Sequence, residues 1–255
     1  MLFPAAVRPV AAVFGGFGFT RRQLAKHELL YAEHGFEVLP VLSTIPQLIT
    51  PSVGWERGPR LAAQLQAVDA PCSLHLVSGS FWTGIFTLAH LDPGWRSENV
   101  KAVVFDSCPP KSDVYAFGGW LSWMVEAKTG LDCRVAKPLL SQLFHPVRLA
   151  AGINAQWTAQ NDKWCFGSGA APGDACVVPR SAACLFVRGR NDPVLEPEYV
   201  DAWCAFLRAR TTATVESRLF ESQHAMAVVE HPKQYRDEIE RLLRRVPEWA
   251  PSVIN

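Results

Sequence analysis

Apolar runs alternate with helical patterns along this 255-residue sequence, and no other feature restricts its fold as strongly. Most of the runs are apolar almost throughout rather than at every second residue, which is typical of parallel strands covered by helices on both faces. Strands that alternate with helices need crossover connections, which also favour a parallel sheet. The sequence therefore predicts an α/β fold with a mostly parallel, doubly wound sheet. The predicted strands are residues 10–14, 36–42, 73–77, 101–105, 183–187 and 215–220.

Helical patterns occupy the intervals between these strands. Thr20 is suited to begin the first helix, because its hydroxyl oxygen can accept a bond from a backbone N–H of the first turn. Gly35 is suited to end it, because glycine readily adopts the left-handed conformation that follows many helices. The chain is long enough, and at 49% hydrophobic residues apolar enough, to bury a sizeable core. A single domain spanning 1–255 is predicted. The predicted helices are residues 21–34, 60–68, 80–91, 196–209 and 232–245.

The segment from 107 to 181 departs from this alternation, because it contains no evident strand. A helical cap over residues 111–180 is predicted, above the carboxyl ends of the strands, where doubly wound sheets bind ligands. Trp120 and Trp123 within the cap, together with Trp82 before it, are the candidate substrate-binding residues. The alternative is an extra pair of helices packed on the core, since tryptophan is more often buried than used to bind ligands.

Charge and composition exclude several classes of protein. The formal net charge is +1 and the pI is near 7.6, so the chain lacks the basic surface of a nucleic-acid-binding protein. The sequence has no C-x-x-C pair, and its histidines do not stand at ligand spacing beside cysteines, so no metal site is predicted. The glycine turn at 14–19 lacks the G-x-G-x-x-G spacing of dinucleotide binding. No cofactor is predicted.

The start of the chain lacks the charged n-region of a signal peptide, and its seven cysteines are simplest to interpret as reduced thiols, which favours a cytoplasmic location. The longest strongly apolar segment, residues 114–125, is shorter than the roughly 18 residues that span a bilayer. Peripheral contact with a membrane remains the alternative. The oligomeric state is not predicted.

Three polar residues follow strands that are far apart in the sequence: Ser78, Asp192 and His224. The order serine, acid, histidine is that of α/β-hydrolases. A serine hydroxyl is a weak nucleophile, an imidazole can take its proton near neutral pH, and a carboxylate fixes the imidazole tautomer. Each residue also has a plainer interpretation, since Ser78 could be a turn residue, Asp192 a helix cap and His224 a surface histidine. Asp106, which closes the strand at 101–105, is a rival acid.

Backbone amides near Ser78 could stabilise an oxyanion. Gly79 follows the candidate nucleophile, and Gly16 and Phe17 lie in the glycine-rich turn after the first strand. The usual G-x-S-x-G frame is nevertheless broken, because Leu76 stands where its first glycine belongs and Ser80 where its second does.

Four segments carry a family resemblance: "VFGGFGFTRRQLAKHELLYAEHGFEVL", "HLVSGSFWTG", "VKAVVFDSCPP" and "SQHAMAVVEHPKQYRDEIERLL". They resemble the α/β-hydrolase-like family of transmembrane protein 53 and of fungal accessory proteins of indole-diterpene (paxilline-type) biosynthesis. The resemblance implies an α/β-hydrolase fold with nucleophile Ser78, acid Asp192 and base His224. The family usually has glycine close after the serine, and Ser80 departs from that pattern.

The expected function is that of a serine hydrolase that cleaves a hydrophobic carboxylic ester or thioester, with a small hydrophobic substrate as its partner. The alternative is a non-catalytic protein of the same fold that binds a hydrophobic ligand or partner. In that case the family suggests association with a membrane, at the nuclear envelope or the endoplasmic reticulum.

Overall fold

The computed structural model describes residues 8–43, 51–108 and 176–249, together with single positions between 122 and 165. Six strands lie in these ranges: β1 Val10–Gly15, β2 Glu37–Leu42, β3 Cys72–Val77, β4 Val100–Asp106, β5 Ala183–Gly189 and β6 Val215–Phe220. The α-helices are α1 Arg21–Ala32, α2 Pro51–Val68, α3 Phe81–His90, α4 Pro93–Asn99, α5 Pro197–Arg210, α6 Ala227–Glu230 and α7 Pro232–Arg244.

All six strands pair in parallel, in the order β2-β1-β3-β4-β5-β6. The predicted fold class is confirmed, and each predicted strand matches an observed one to within two residues at either end. The chain moves from β1 outward to β2 and then back past β1 to β3, so the order reverses between β1 and β3. Doubly wound sheets bind ligands at this reversal, beside the carboxyl ends of the strands.

The apolar runs bury both faces of the sheet. One face packs against α2, α3 and α5, and the other packs against α1 and α7. Successive residues of a strand point to opposite faces, so Val103 and Phe105 of β4 join the first core whereas Ala102 and Val104 join the second. This two-sided burial is why the strands lack an alternating polar pattern.

Helix α1 begins and ends as its sequence indicates. The hydroxyl oxygen of Thr20 accepts from the Gln23 backbone N–H, and the Gln23 side chain returns a bond to the Thr20 backbone, which makes a capping box. Gly35 follows the helix with a φ of +79°, in the left-handed region that glycine occupies without steric cost.

The prediction of α2 was too short. It placed the start near residue 60, whereas the helix begins at Pro51 and continues through Pro59. Glycine and proline lower local helix propensity, but tertiary packing can override it. Gly58 lies against Phe86 of α3, where an added Cβ would be 3.0 Å from the Phe86 backbone. The glycine therefore allows α2 and α3 to approach closely.

Two short helices, α4 and α6, were not predicted. Helix α4 depends on its cap, since the carboxylate of Asp92 accepts from the Trp95 backbone N–H at 2.9 Å and Pro93 occupies the first turn. A helix of seven residues is too short to show an apolar period. The predicted cap at 111–180 lies almost entirely outside the described residues, so it stays a prediction. Within the described part of the chain, no helix is long and apolar enough to cross a membrane.

Candidate active site

Three strands bring Ser78, His224 and Asp192 into one hydrogen-bonded row. Ser78 directly follows β3, His224 lies four residues after β6, and Asp192 lies three residues after β5. Ser78 Oγ is 2.6 Å from His224 Nε2, and His224 Nδ1 is 2.8 Å from Asp192 Oδ2. The His224 and Asp192 side chains are only 3% and 2% exposed, so water screens this row weakly.

The donors and acceptors of this row can be assigned from its chemistry. An ionised Asp192 carboxylate can only accept, so Nδ1 of a neutral His224 donates to it. Nε2 is then the acceptor, and Ser78 donates its O–H to it. This is the arrangement in which an imidazole can remove the proton of a serine hydroxyl.

The other oxygen of Asp192 secures the loop after β5. Asp192 Oδ1 accepts from the backbone N–H groups of Val194, at 2.8 Å, and Leu195, at 3.1 Å. Asp192 is therefore not the cap of α5, whose N-cap residue is Glu196, and its bonds secure the turn that precedes this helix. A single carboxylate thus bonds both the loop and the imidazole.

Ser78 occupies a strained turn between β3 and α3. Its φ is +54°, in the left-handed region that non-glycine residues seldom adopt. Residues Ser78–Ser80 form a 3-10 turn that leads directly into α3. Such strain costs about 1–3 kcal/mol and is concentrated at functional sites. The turn presents the hydroxyl at the carboxyl edge of the sheet.

Ser80 holds this turn although it replaces the expected glycine. Its hydroxyl lies 2.8 Å from the carbonyl oxygens of both Phe14 and Val77, and accepts from the Val77 backbone N–H at 2.9 Å. It is fully buried, so these bonds join the end of β1 to the turn after β3. The serine is a structural substitute for glycine, not a defect in the frame.

Gly84 compensates for Leu76, the other departure from the frame. A Cβ at Gly84 would lie 2.2 Å from Leu76 Cδ2, a distance that real Cβ atoms do not show. Glycine at position 84 of α3 therefore makes room for the Leu76 side chain of β3. The close approach of strand and helix is retained, with the small residue on the helix.

The three predicted oxyanion residues surround Ser78. A Cβ at Gly16 would lie 3.3 Å from Ser78 Cβ, and a Cβ at Gly79 would lie 2.0 Å from the Phe17 ring. The glycine turn after β1 and the turn after β3 are thus in direct contact, and glycine is required at position 79 while Phe17 keeps its place. The use of their amides as oxyanion donors is a proposal.

Asp106, the rival acid, belongs to a different group of residues. Its carboxylate is fully buried and accepts from the Tyr235 hydroxyl at 2.6 Å, while His27 Nε2 lies 3.5 Å away. Burial by itself would raise the pKa of Asp106, but His27, His75 and the Tyr235 hydroxyl together hold that pKa below its ordinary value. Asp106 therefore carries a buried negative charge on the α1 and α7 side of the sheet.

His75 completes a chain of hydrogen bonds to Asp106. Tyr235 donates its O–H to Asp106, so its oxygen is left to accept from His75 Nε2 at 3.0 Å. His75 Nδ1 then accepts from the Tyr31 hydroxyl, also at 3.0 Å. His75 lies in the predicted strand 73–77 and His27 in the predicted helix 21–34, but no local pattern indicates that the two residues meet at Asp106.

The same residues raise the question of a metal. One donor atom each of His27, His75 and Asp106 lie within 4.8 Å of one another, and all three residues are buried. Two histidines and a carboxylate suit zinc and similar ions. However, both His75 nitrogens already have tyrosine partners, and a cation would have to displace one of them. Hydrogen bonds to the two tyrosines account for His75 and Asp106 without a metal, whereas His27 only approaches Asp106, at 3.5 Å.

Burial of His75 makes stability depend on pH. Loss of hydration, with a smaller effect of nearby His27, lowers the pKa of His75 from 6.5 to about 3, although Asp106 opposes this. Between these values the unfolded chain binds more protons than the folded one, so the free energy of unfolding falls as pH falls. The slope from this group reaches about 1.4 kcal/mol per pH unit.

We expect His75→Gln to remove the contribution of His75 to the pH dependence of the free energy of unfolding between pH 6.5 and 4.5. This expectation holds even if the substitution also changes stability at pH 7. Urea unfolding at several pH values measures this slope. His90→Gln, at an exposed histidine of α3, is the matched control for removal of an imidazole from the surface. Equal slopes for wild type and His75→Gln would show that His75 is not the group that titrates.

A pocket opens beside Ser78, between α1 and α6. The space between its walls is about 550 Å³, a figure that includes space open to solvent. Its walls are mainly apolar, and Gln23, Lys26 and His27 are polar residues among them. The remaining lining residues are Phe17, Phe19, Ser78, His224, Ala225, Met226, Val228 and Val229.

Trp82, one of the three predicted substrate-binding tryptophans, does not line this pocket. Trp82 is 2% exposed and packs against Phe81 and Phe86 in the core under α3. The simple tendency of tryptophan to be buried accounts for this position. Trp120 and Trp123 lie outside the described residues, and their role stays a prediction.

Solved structures with low sequence identity share this architecture. An esterase from Pyrococcus furiosus is 15% identical, with 94% of this chain and 82% of that chain covered and a TM-score of 0.56. A type II thioesterase from the yersiniabactin biosynthetic pathway is 15% identical, with 97% of each chain covered and a TM-score of 0.52. The chain has the α/β-hydrolase fold. No protein-family model and no curated protein sequence matches it.

The α/β-hydrolase fold explains which parts of the site were visible in the sequence. Candidate residues at strand ends meet because the carboxyl ends of parallel strands share one edge of the sheet. The compensating pair Leu76 and Gly84 was missed, although a glycine six residues after the serine was a usable signal. The narrower resemblance to the family of transmembrane protein 53 stays a prediction.

Proposed function

We propose that this protein is a serine hydrolase that cleaves a hydrophobic carboxylic ester or thioester. The observation that carries the proposal is the unbroken row from Ser78 Oγ to His224 Nε2 and from His224 Nδ1 to Asp192 Oδ2, at 2.6 and 2.8 Å. A serine in an ordinary loop has no reason to meet a buried imidazole that is itself oriented by a buried carboxylate.

In the proposed acylation step, His224 takes the proton of Ser78 as Oγ attacks the carbonyl carbon of the substrate. The resulting oxyanion accepts from the Gly79 N–H and from an N–H of the turn that contains Gly16 and Phe17. The imidazolium, stabilised by Asp192, then gives its proton to the departing alcohol or thiol. An acyl group remains on Ser78.

Water completes the cycle. His224 takes a proton from water, whose oxygen attacks the acyl carbon, and the same oxyanion donors stabilise the second tetrahedral intermediate. When it collapses, the carboxylic acid leaves and Ser78 recovers its proton from His224. Because the reaction moves only protons and an acyl group, no redox cofactor enters it.

The walls of the pocket support a hydrophobic substrate. The apolar lining consists of Phe17 and Phe19 of the glycine turn and of Ala225, Met226, Val228 and Val229 of the segment after His224. Apolar walls around a few polar groups are typical of sites that bind small apolar ligands. An ester or thioester is favoured because structural neighbours include an esterase and a thioesterase.

Labelling with a fluorophosphonate probe tests the proposed function, because the probe forms a covalent adduct only with an activated nucleophile. We expect one adduct per chain, located on Ser78 by peptide mapping, and none in His224→Ala. His90→Ala, at an exposed histidine, is the matched control and should be labelled at the wild-type rate. A panel of short and long acyl esters and thioesters would then define the substrate.

The alternative function makes the opposite prediction. If the folded, monodisperse protein takes no label at Ser78 but binds a hydrophobic fluorescent ligand in the pocket, it is a non-catalytic binding protein of this fold. A cytoplasmic location and peripheral contact with a membrane stay predictions.

A further inference from the structure

The segment that follows His224 is attached to the end of β4 at two points. Ser107 Oγ accepts from the backbone N–H of Ala225 at 2.9 Å, and Asp106 accepts from the Tyr235 hydroxyl at 2.6 Å. Asp106, the last residue of β4, and Ser107, which follows it, therefore hold the two ends of the segment from 225 to 235. The first bond lies next to His224 itself.

The segment that precedes His224 is held by the end of β5. The backbone N–H of Arg190 donates to the Phe220 carbonyl at 2.8 Å, and that of Asn191 donates to the Ser222 carbonyl at 3.1 Å. At Gly189, an added Cβ would lie 2.3 Å from the Ser222 carbonyl oxygen, so these backbones are in close contact. His224 is thus secured before and after its own position, by two different strands.

The bond between Ser107 and Ala225 joins two residues in an unfavourable backbone conformation. Ser107 has a φ of +51° and Ala225 a φ of +54°, and neither is glycine. Such conformations persist only where the surroundings impose them. Ser107 is 2% exposed, and its own backbone N–H donates to the Val187 carbonyl at 2.8 Å. Ser107 is therefore rigidly placed by β5 before it bonds Ala225.

We propose that Ser107 is a positioning residue for His224. Ser107 does not line the described pocket and acts only through Ala225, by holding the loop so that Nε2 stays 2.6 Å from Ser78 Oγ. Without the hydroxyl, the Ala225 N–H is left buried without its partner, and the loop relieves this by moving. The inference rests on the proposed function, because a displaced base matters only if Ser78 is a nucleophile.

Three variants distinguish the effect of the Ser107 hydroxyl from the effects of backbone strain and of losing any buried hydroxyl nearby. Ser107→Ala removes the acceptor, and Ser107→Gly removes the acceptor together with the steric cost of the positive φ. Ser222→Ala is the matched control, because it removes a buried hydroxyl two residues from His224 that has no hydrogen-bond partner among the described residues. Fluorophosphonate labelling and hydrolysis of a short p-nitrophenyl ester measure reactivity at Ser78. Hydrogen exchange of residues 221–230 measures the attachment of the loop.

We expect both Ser107 variants to lower the labelling rate and kcat about 10- to 100-fold with KM nearly unchanged, as for a small misplacement of a catalytic group. Exchange at the Ala225 amide should accelerate in both, and Ser222→Ala should match wild type. Wild-type kcat in Ser107→Gly would overturn the inference, since strain and not the hydroxyl would then matter. If the wild-type protein is not labelled by the fluorophosphonate, the proposed function is wrong. If hydrogen exchange at the Ala225 amide is unchanged in the Ser107 variants, the Ser107 hydroxyl does not hold the loop, whatever the result of labelling.

Discussion

Replacement of Ser78 by alanine is expected to lower kcat for ester hydrolysis by about 10⁵- to 10⁶-fold and to abolish covalent labelling. The hydroxyl is the only group of the protein that forms a bond to the acyl carbon in the proposed mechanism. Its removal leaves His224 and Asp192 in place but without a nucleophile to activate. Some acceleration over water can persist, because the oxyanion donors and the pocket are unchanged.

The same replacement should change the melting temperature by only a few degrees. Alanine at position 78 keeps the strained φ of +54° and loses one hydrogen bond, to His224. Ser80→Ala provides the contrast, because it removes the buried hydroxyl that bonds Phe14 and Val77 and should destabilise the fold by about 1–3 kcal/mol. Thermal unfolding and steady-state hydrolysis of both variants separate catalysis from stability. Activity retained in Ser78→Ala, with a large fall in melting temperature, would contradict the assignment.

Asp192→Asn is expected to lower kcat about 10⁴-fold while the loop after β5 keeps its structure. The asparagine carbonyl oxygen can still accept from the Val194 and Leu195 amides, as Asp192 Oδ1 does. Its NH₂ group then faces His224 Nδ1, which must become an acceptor. Nε2 therefore carries the proton and cannot take another from Ser78.

Asp192→Ala and Asp201→Asn complete this test. Asp192→Ala removes the bonds to the loop as well, so it should lose stability in addition to activity. Asp201 is a half-exposed carboxylate paired with Arg188 at the surface, so its amide variant should keep wild-type kcat. The melting temperatures of Asp192→Asn and Asp192→Ala should differ, whereas their kcat values should both be low. Near-wild-type kcat in Asp192→Asn would exclude a role for this carboxylate in orienting the base.

The sequence by itself favours Asp192 over Asp106, because Asp192 follows the strand that comes just before the histidine strand. Both aspartates follow apolar strands and both come before the histidine along the chain. In the sheet, β5 is the neighbour of β6, so the loop after β5 reaches His224. Asp106 instead lies on the face covered by α1 and α7, where its carboxylate accepts from the Tyr235 hydroxyl and lies 3.5 Å from His27 Nε2.

The order of strands and helices was determined by the sequence, because apolar runs and helix caps are local properties that a window of ten or so residues displays. For the same reason, Ser78 and His224 could be located after strands before any contact was known. Only the tertiary structure decided which residues from distant parts of the chain are in contact. The Ser80 hydroxyl bonds the backbone of Phe14 and Val77, Gly84 makes room for Leu76, and Ser107 bonds Ala225 across 118 positions of the chain. These are contacts between distant segments, and their geometry arises only when the sheet has assembled.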